Sequence, residues 1–143
     1  MTFSKAFITE KLTEIEKYQV ELEELLDFSD EEILNDSGKT HIAERLLQLI
    51  VDTILDINQH LIKELGLEPA EDFQSTFYIL GKHNIMSDDF AVKIAPVVGL
   101  RNRVVHRYDT LNKDLFIKTL RENYKDFDLY SKLIQKRLEE NQP

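Results

Sequence analysis

The sequence contains no cysteine, so neither a disulfide framework nor a thiolate metal site is available to it. Glycine occurs 4 times and proline 3 times in 143 residues, too few for a fold built on hairpins and tight turns. The N-terminal stretch MTFSKAFITEKLTEIEK has no apolar core long enough for a signal peptide, and no segment approaches a membrane span. A cytoplasmic location and no membrane partner are the expectation. Also absent are a P-loop, a glycine-rich dinucleotide turn and a G-x-S-x-G elbow. His41, His60 and His83 are separated and lack ligand-spaced partners, so they read as surface or core residues, and no metal is expected.

What is abundant is Leu, Glu, Lys and Ile, the residues that favour helices. With 42% hydrophobic and 31% charged residues, the chain fits a soluble all-α domain spanning residues 1–143. The net charge of −9 argues against broad, non-specific binding to nucleic acid. That sum hides an asymmetry. Residues 1–92 carry 7 Lys/Arg against 20 Asp/Glu, whereas residues 93–143 carry 11 against 7. The C-terminal part could therefore offer a local basic surface to a polyanion, or simply carry charge on solvated helix faces.

Apolar spacing predicts an antiparallel bundle of four to five main helices plus a short one. Ile8, Leu12, Ile15, Leu22 and Leu25 mark a long helix over residues 3–27. Ser29 or Asp30 caps a short helix at EEIL, which ends near the Asp36-Ser37-Gly38 turn. The longest helix is expected over 40–65, with one stripe from Ile42 to Leu65 and a second through Leu47, Val51, Leu55 and Ile62. Two stripes make a wide apolar face suited to a central helix. Gly66 supplies its stop, and Pro69 begins the next segment. An aromatic helix from Glu71 to Lys82 follows, then a helix capped by Ser87 and kinked at Pro96. Asp88 and Asp89 sit in its first turn, where the helix dipole accounts for them without a catalytic role. Asn112 caps a last helix to about Glu139, with Leu115, Phe116, Leu120, Tyr124, Phe127, Leu133, Ile134 and Leu138 inward.

The segment RNRVVHRY, residues 101–108, interrupts an apolar face with polar groups. Val97, Arg101, Val104 and Tyr108 form one stripe, and Val98, Asn102 and Val105 the adjacent one. Arg101 and Asn102 thereby fall on the side the valines bury, so Arg101 must be paired internally or face a groove or partner chain. Arg101 and His106 lie about 140° apart around an ideal helix, so one chain alone would splay them. Two copies meeting across a two-fold axis could bring both pairs to one cleft, with Gly99 permitting close approach. The competing reading is a monomer with an internal Arg101 ion pair and Gly99 in a tight packing spot. Histidine moves protons near neutral pH, and arginine grips phosphate and stabilises charge in phosphoryl transfer. Together they suit cleavage of RNA by its own 2′-hydroxyl. Arg103 and Arg107 read either as RNA contacts or as helix-end charges, while Lys113, Lys118, Arg121 and Lys125 read as a solvated face.

RNRVVHRY matches the R-x4-H-x-Y signature of the HepT-like HEPN proteins, which this chain resembles over roughly residues 40–138. The likeness runs through ERLLQLIVDTILDINQHLIKELGL, the aromatic helix, IAPVVGLRN and the C-terminal helix. It implies an all-α homodimer that acts as the toxin of a toxin–antitoxin pair, a metal-independent endoribonuclease without a cofactor. It further implies that Arg101 and His106 are the catalytic pair, that Asn102 supports them, and that Tyr108 receives AMP from an MntA-like nucleotidyltransferase antitoxin. The alternative is a non-catalytic scaffold that binds a nucleotidyltransferase or nucleic acid through the same interface.

Overall fold

Helices in this chain start where the sequence supplies an oxygen able to take an orphan N–H. The computed structural model describes residues 4–106 and 111–140, and among these every regular element is an α-helix. Ser4 accepts from the Phe7 N–H and opens α1 (Lys5–Leu26). Ser29 and Glu32 form a reciprocal capping box on α2 (Asp30–Leu34). Asp36 accepts from the Gly38 and Lys39 N–H groups at the head of α3 (Ser37–Glu64). Asp72 caps α4 (Phe73–Lys82) and Ser87 caps α5 (Asp88–Ile94). After α6 (Val97–His106), Asn112 accepts from the Leu115 N–H and starts α7 (Lys113–Glu140). Gly66, at φ 66°, ends α3 in a Schellman turn, its N–H on the Lys63 carbonyl and the Leu67 N–H on that of Ile62.

Several sequence expectations shift by a turn. Asp36 caps α3, so Ser37 and Gly38 belong to that helix and not to a separating turn. The helix expected from Glu71 begins at Phe73, because the Asp72 side chain takes the Ser75 N–H and stops the helix from extending backward. α3 and α7 are equal in length, at 28 residues each. Pro96 breaks its helix outright. The ladder ends with the Ala95 N–H on Ala91, and Val98 and Gly99 donate to Ala95 and Pro96 in tight three-residue turns, so α5 and α6 are separate helices. Ile42 and Leu115, expected inward, are 52% and 56% exposed. Both lie near the N-terminal ends of their helices, where the apolar stripe runs past what covers it.

α3 is the central helix and packs against α1, α2, α4 and α6, while α7 lies across α1 and α2. Phe77, Phe116, Phe127 and Tyr130 are essentially without solvent exposure inside one continuous core, and each such side chain contributes about 1.5–3 kcal/mol through burial. One polar chain crosses that core. The Tyr130 hydroxyl donates to Asn58 Oδ1 at 2.6 Å, Asn58 Nδ2 donates to Thr76 Oγ1 at 3.0 Å, and the Thr76 hydroxyl donates to the Phe73 carbonyl at 2.6 Å. Burial raises the Tyr130 phenol well above its ordinary pKa, so it remains a neutral donor. Asn58→Ala leaves the Tyr130 hydroxyl only the longer contact to the Ile54 carbonyl at 3.3 Å and opens a void, and is expected to cost about 2–4 kcal/mol in urea unfolding. The pair Asn58→Leu with Tyr130→Phe should recover much of that loss.

Two exposed clamps fix the connections. Arg121 of α7 pairs with Asp30 at 2.6 Å and donates to the carbonyls of Leu26 and Phe28, which closes the C-terminal end of α1. Glu68, in the loop before α4, accepts from Lys82 at 2.9 Å and shares a 2.5 Å hydrogen bond with His83. The Lys82 contact first, then the His83 contact, hold its carboxyl down to about 2.

Candidate active site

The site begins with the break at Pro96. With its ladder interrupted there, α6 sets off anew and presses Val97, Val98, Leu100 and Val104 into the core beside α3 and α4. Leu100 takes the inward place that periodicity gave to Asn102; Asn102 is exposed, as are Arg103 and His106. Arg101 lies at the seam, its side chain 19% exposed, because its stem follows the apolar face while its head reaches α3. There Arg101 Nε donates to Asp52 Oδ1 at 2.7 Å, and Nη1 donates to Asn102 Oδ1 at 3.3 Å. The demand that Arg101 be paired is thus met inside the chain. The Asp52 carboxylate engages Nε, so it sets the plane of the guanidinium fork.

Arg101, Asn102, Arg103 and His106, together with Phe73 of α4, line one shallow cleft of about 400 Å³. Arg101 and His106 thus both border one cleft of a single chain. A helical projection separates the two Cβ atoms, but the arginine is long and the cleft is open enough to be bordered by both. The tight-packing reading of Gly99 is also overturned among the described residues, since a Cβ added there would meet nothing within 4 Å. Arg107 and Tyr108 lie outside the described residues.

Other candidate cations are largely engaged elsewhere. Lys113 pairs with Glu44 at 3.0 Å, Arg121 belongs to the α1 clamp, Lys132 pairs with Asp128, and Arg137 with Glu140. Lys118 and Lys125 are exposed. The basic C-terminal part is therefore met mostly by local acids, and Arg101 and Arg103 are the described cations that border the cleft. His60 accepts from the Ser4 N–H and stacks on Phe7 at 4.5 Å, and His83 is bound to Glu68. Among the described residues no group of three or more His, Asp or Glu side chains is placed to hold a metal ion. No described helix is long and apolar enough to cross a membrane.

Sequence reasoning missed two members of the site. Asp52 lies on the polar edge of α3, with Gln48 and Asp56 four residues to either side, so periodicity reads it as one more solvated charge and gives no signal of its partner. Phe73 belongs by sequence to the aromatic helix, yet it is 47% exposed at the head of α4.

The all-helical fold is that of HEPN toxins of known structure. The sequence profile of the ribonuclease HepT-like family matches residues 15–134, and the chain belongs to that family. It is 33% identical over 127 residues to the tRNA nuclease HepT of Aphanizomenon flos-aquae, covering 89% of this chain and 86% of that protein. It is 26% identical over 89 residues to the mRNA nuclease HepT of Shewanella oneidensis, covering 62% and 67%. The fold also matches the tri-AMPylated Shewanella oneidensis HEPN toxin solved in complex with its MNT antitoxin, at a TM-score of 0.85 and 20% identity, over 93% of this chain and 99% of that one.

Proposed function

We propose that this chain is an endoribonuclease toxin that cuts RNA at the Arg101–His106 cleft and is silenced by AMPylation of Tyr108. The observation that carries the reading is that Arg101 and His106 both border one open cleft, with Arg101 held in place by Asp52. His106 takes the proton of the ribose 2′-hydroxyl as its oxygen attacks the adjacent phosphorus. The new 2′-oxygen–phosphorus bond forms while the bond to the 5′-oxygen breaks, and that oxygen leaves with a proton from an acid or from water. Arg101 binds the non-bridging oxygens as their charge grows, Asn102 supports the guanidinium, and Arg103 and Arg107 draw the flanking phosphates. Every group in this step comes from RNA, solvent or protein.

The working unit is taken to be a homodimer in the cytoplasm. The open surface over Gly99, on the face of α6 that also carries Asn102, Arg103 and His106, suits a second copy of α6 approaching closely and setting a second cleft beside the first. The nuclease names of the relatives and the toxin–antitoxin assemblies of the matched structures support the same function and a nucleotidyltransferase antitoxin as partner. AMP on Tyr108, two residues beyond His106, would set a negative phosphate and a bulky nucleoside beside the cleft and oppose entry of another polyanion.

The test is cleavage of labelled tRNA and mRNA by the purified protein with EDTA present, and products ending in cyclic phosphate are expected. If no RNA is cut with or without divalent metal, and expression is harmless, the nuclease reading falls to the non-catalytic scaffold reading, which the engaged Arg101–Asp52 pair also accommodates. With ATP and a partner nucleotidyltransferase, intact-protein mass spectrometry should register additions in multiples of AMP. Those additions should vanish in Tyr108→Phe, and their persistence there would assign the modification to another residue.

A further inference from the structure

The cleft has a second wall that the cleavage chemistry does not use. Phe73 borders the Arg101–His106 cleft on one side and, on the other, a hollow of about 670 Å³ walled by Ile62, Leu67, Pro69 and Ala70. We propose that Phe73 is a stacking platform for a nucleobase next to the scissile phosphate, and that the hollow behind it seats that base. This rests on the nuclease reading above and adds a subsite to it.

Three observations support the assignment. The first is rigidity. Phe73 opens α4 behind the Asp72 cap, and its carbonyl accepts from Thr76, which is itself tied to buried Asn58. The loop leading to it is clamped by Glu68 on Lys82 and His83. A ring mounted this way binds a flat partner at little entropic cost. The second is the division of charge. Arg101 and Arg103 lie on the cleft side, whereas the hollow is rimmed by Gln59, Lys63, Glu71 and Asp72, one cation against two carboxylates. Phosphate is drawn to the first side and disfavoured on the second. A neutral base with amino and ring N–H donors suits an apolar wall rimmed by carboxylates and an amide. The third is that, among the described residues, the other exposed aromatics are already engaged, since Lys39 sits 4.5 Å from the Phe28 ring centroid and Gln74 donates to the Tyr78 hydroxyl. Alternation of cation and aromatic along one surface is how proteins hold single-stranded RNA, with phosphates on the charges and bases on the rings.

The test uses the full chain carrying His106→Ala, so that RNA is bound without being cut, and an RNA oligonucleotide that the wild type cleaves. Adding Phe73→Ala should weaken binding by about tenfold to a hundredfold, the worth of one stacked base. Phe73→Trp should retain affinity, and Phe73→Leu should lose nearly as much as alanine, because it keeps apolar bulk but no ring face. An abasic ribose at one position beside the cut should cost the same factor when Phe73 is present and almost nothing when it is alanine. Binding within about twofold of the parent, or an abasic penalty equal in both proteins, would overturn the platform. So would conversion of Phe73→Ala to a different oligomeric state, which would give the ring to a subunit contact. A wild type that cuts RNA while Phe73 is inert sinks this inference alone. A wild type that cuts no RNA removes the nuclease reading and this inference with it.

Discussion

His106→Ala is expected to slow RNA cleavage by about 10²–10⁴-fold, the usual worth of a positioned acid–base group. Arg101→Ala should cost about 10²–10³-fold, as for loss of a donor aimed at developing charge. The two effects should not multiply in the double variant, because proton transfer and charge stabilisation serve one transition state. Neither loss should be a folding defect. His106 is exposed. Arg101→Ala removes an ion pair whose carboxylate is 38% exposed and can be rehydrated, so the stability cost is expected below about 1 kcal/mol. Arg101→Lys should rescue little, since an ammonium lacks the planar fork that meets Asp52 through one nitrogen and phosphate through the others. Growth inhibition on expression should fall in parallel with cleavage. If His106→Ala cuts RNA at a rate near the wild type while its fold is intact, the imidazole moves no proton in this reaction and another base must be sought.

How much of this was written in the local sequence depends on the range of each interaction. The helices were readable because caps and apolar stripes act within a few residues: Ser29, Ser87 and Asn112 all cap as their positions imply. The break at Pro96 was less so. A missing N–H permits either a kink or a full stop, and the choice depends on how Leu100 and Val104 dock on neighbouring helices. Ile42 and Leu115 make the same point from the other side, since periodicity names a face but not the length of what covers it. Within the site, RNRVVHRY is contiguous and its pattern is visible. Its surroundings are not, because Asp52 lies 49 residues before Arg101 and Phe73 is on another helix. The projected angle between Arg101 and His106 is silent on the cleft they both border for a related reason. Angles around a helix axis locate Cβ atoms, whereas the reach of a guanidinium is set by the acid that anchors it.

That anchor gives the second large effect. Asp52 touches Arg101 and does not line the cleft, so its action on substrate passes through the arginine. Asp52→Ala leaves the guanidinium free to rotate about its long stem, and misplacement of a catalytic group by about 1 Å can cost 10²-fold. A fall in kcat of about tenfold to a hundredfold is therefore expected. KM should hold or drop, because deleting a carboxylate beside a polyanion site makes the local potential more positive even as the geometry is lost. This split separates positioning from a structural role, in which kcat would follow the folded fraction and KM would not improve. Asp52→Asn keeps an oxygen able to accept from Nε and should restore part of kcat. In an Arg101→Ala background, Asp52→Ala should add almost nothing, as the coupling of a contacting pair requires. A kcat unchanged by Asp52→Ala would leave Arg101 oriented by Asn102 or by RNA itself. An additive loss in the double variant would mean that Asp52 acts on the reaction by a route of its own.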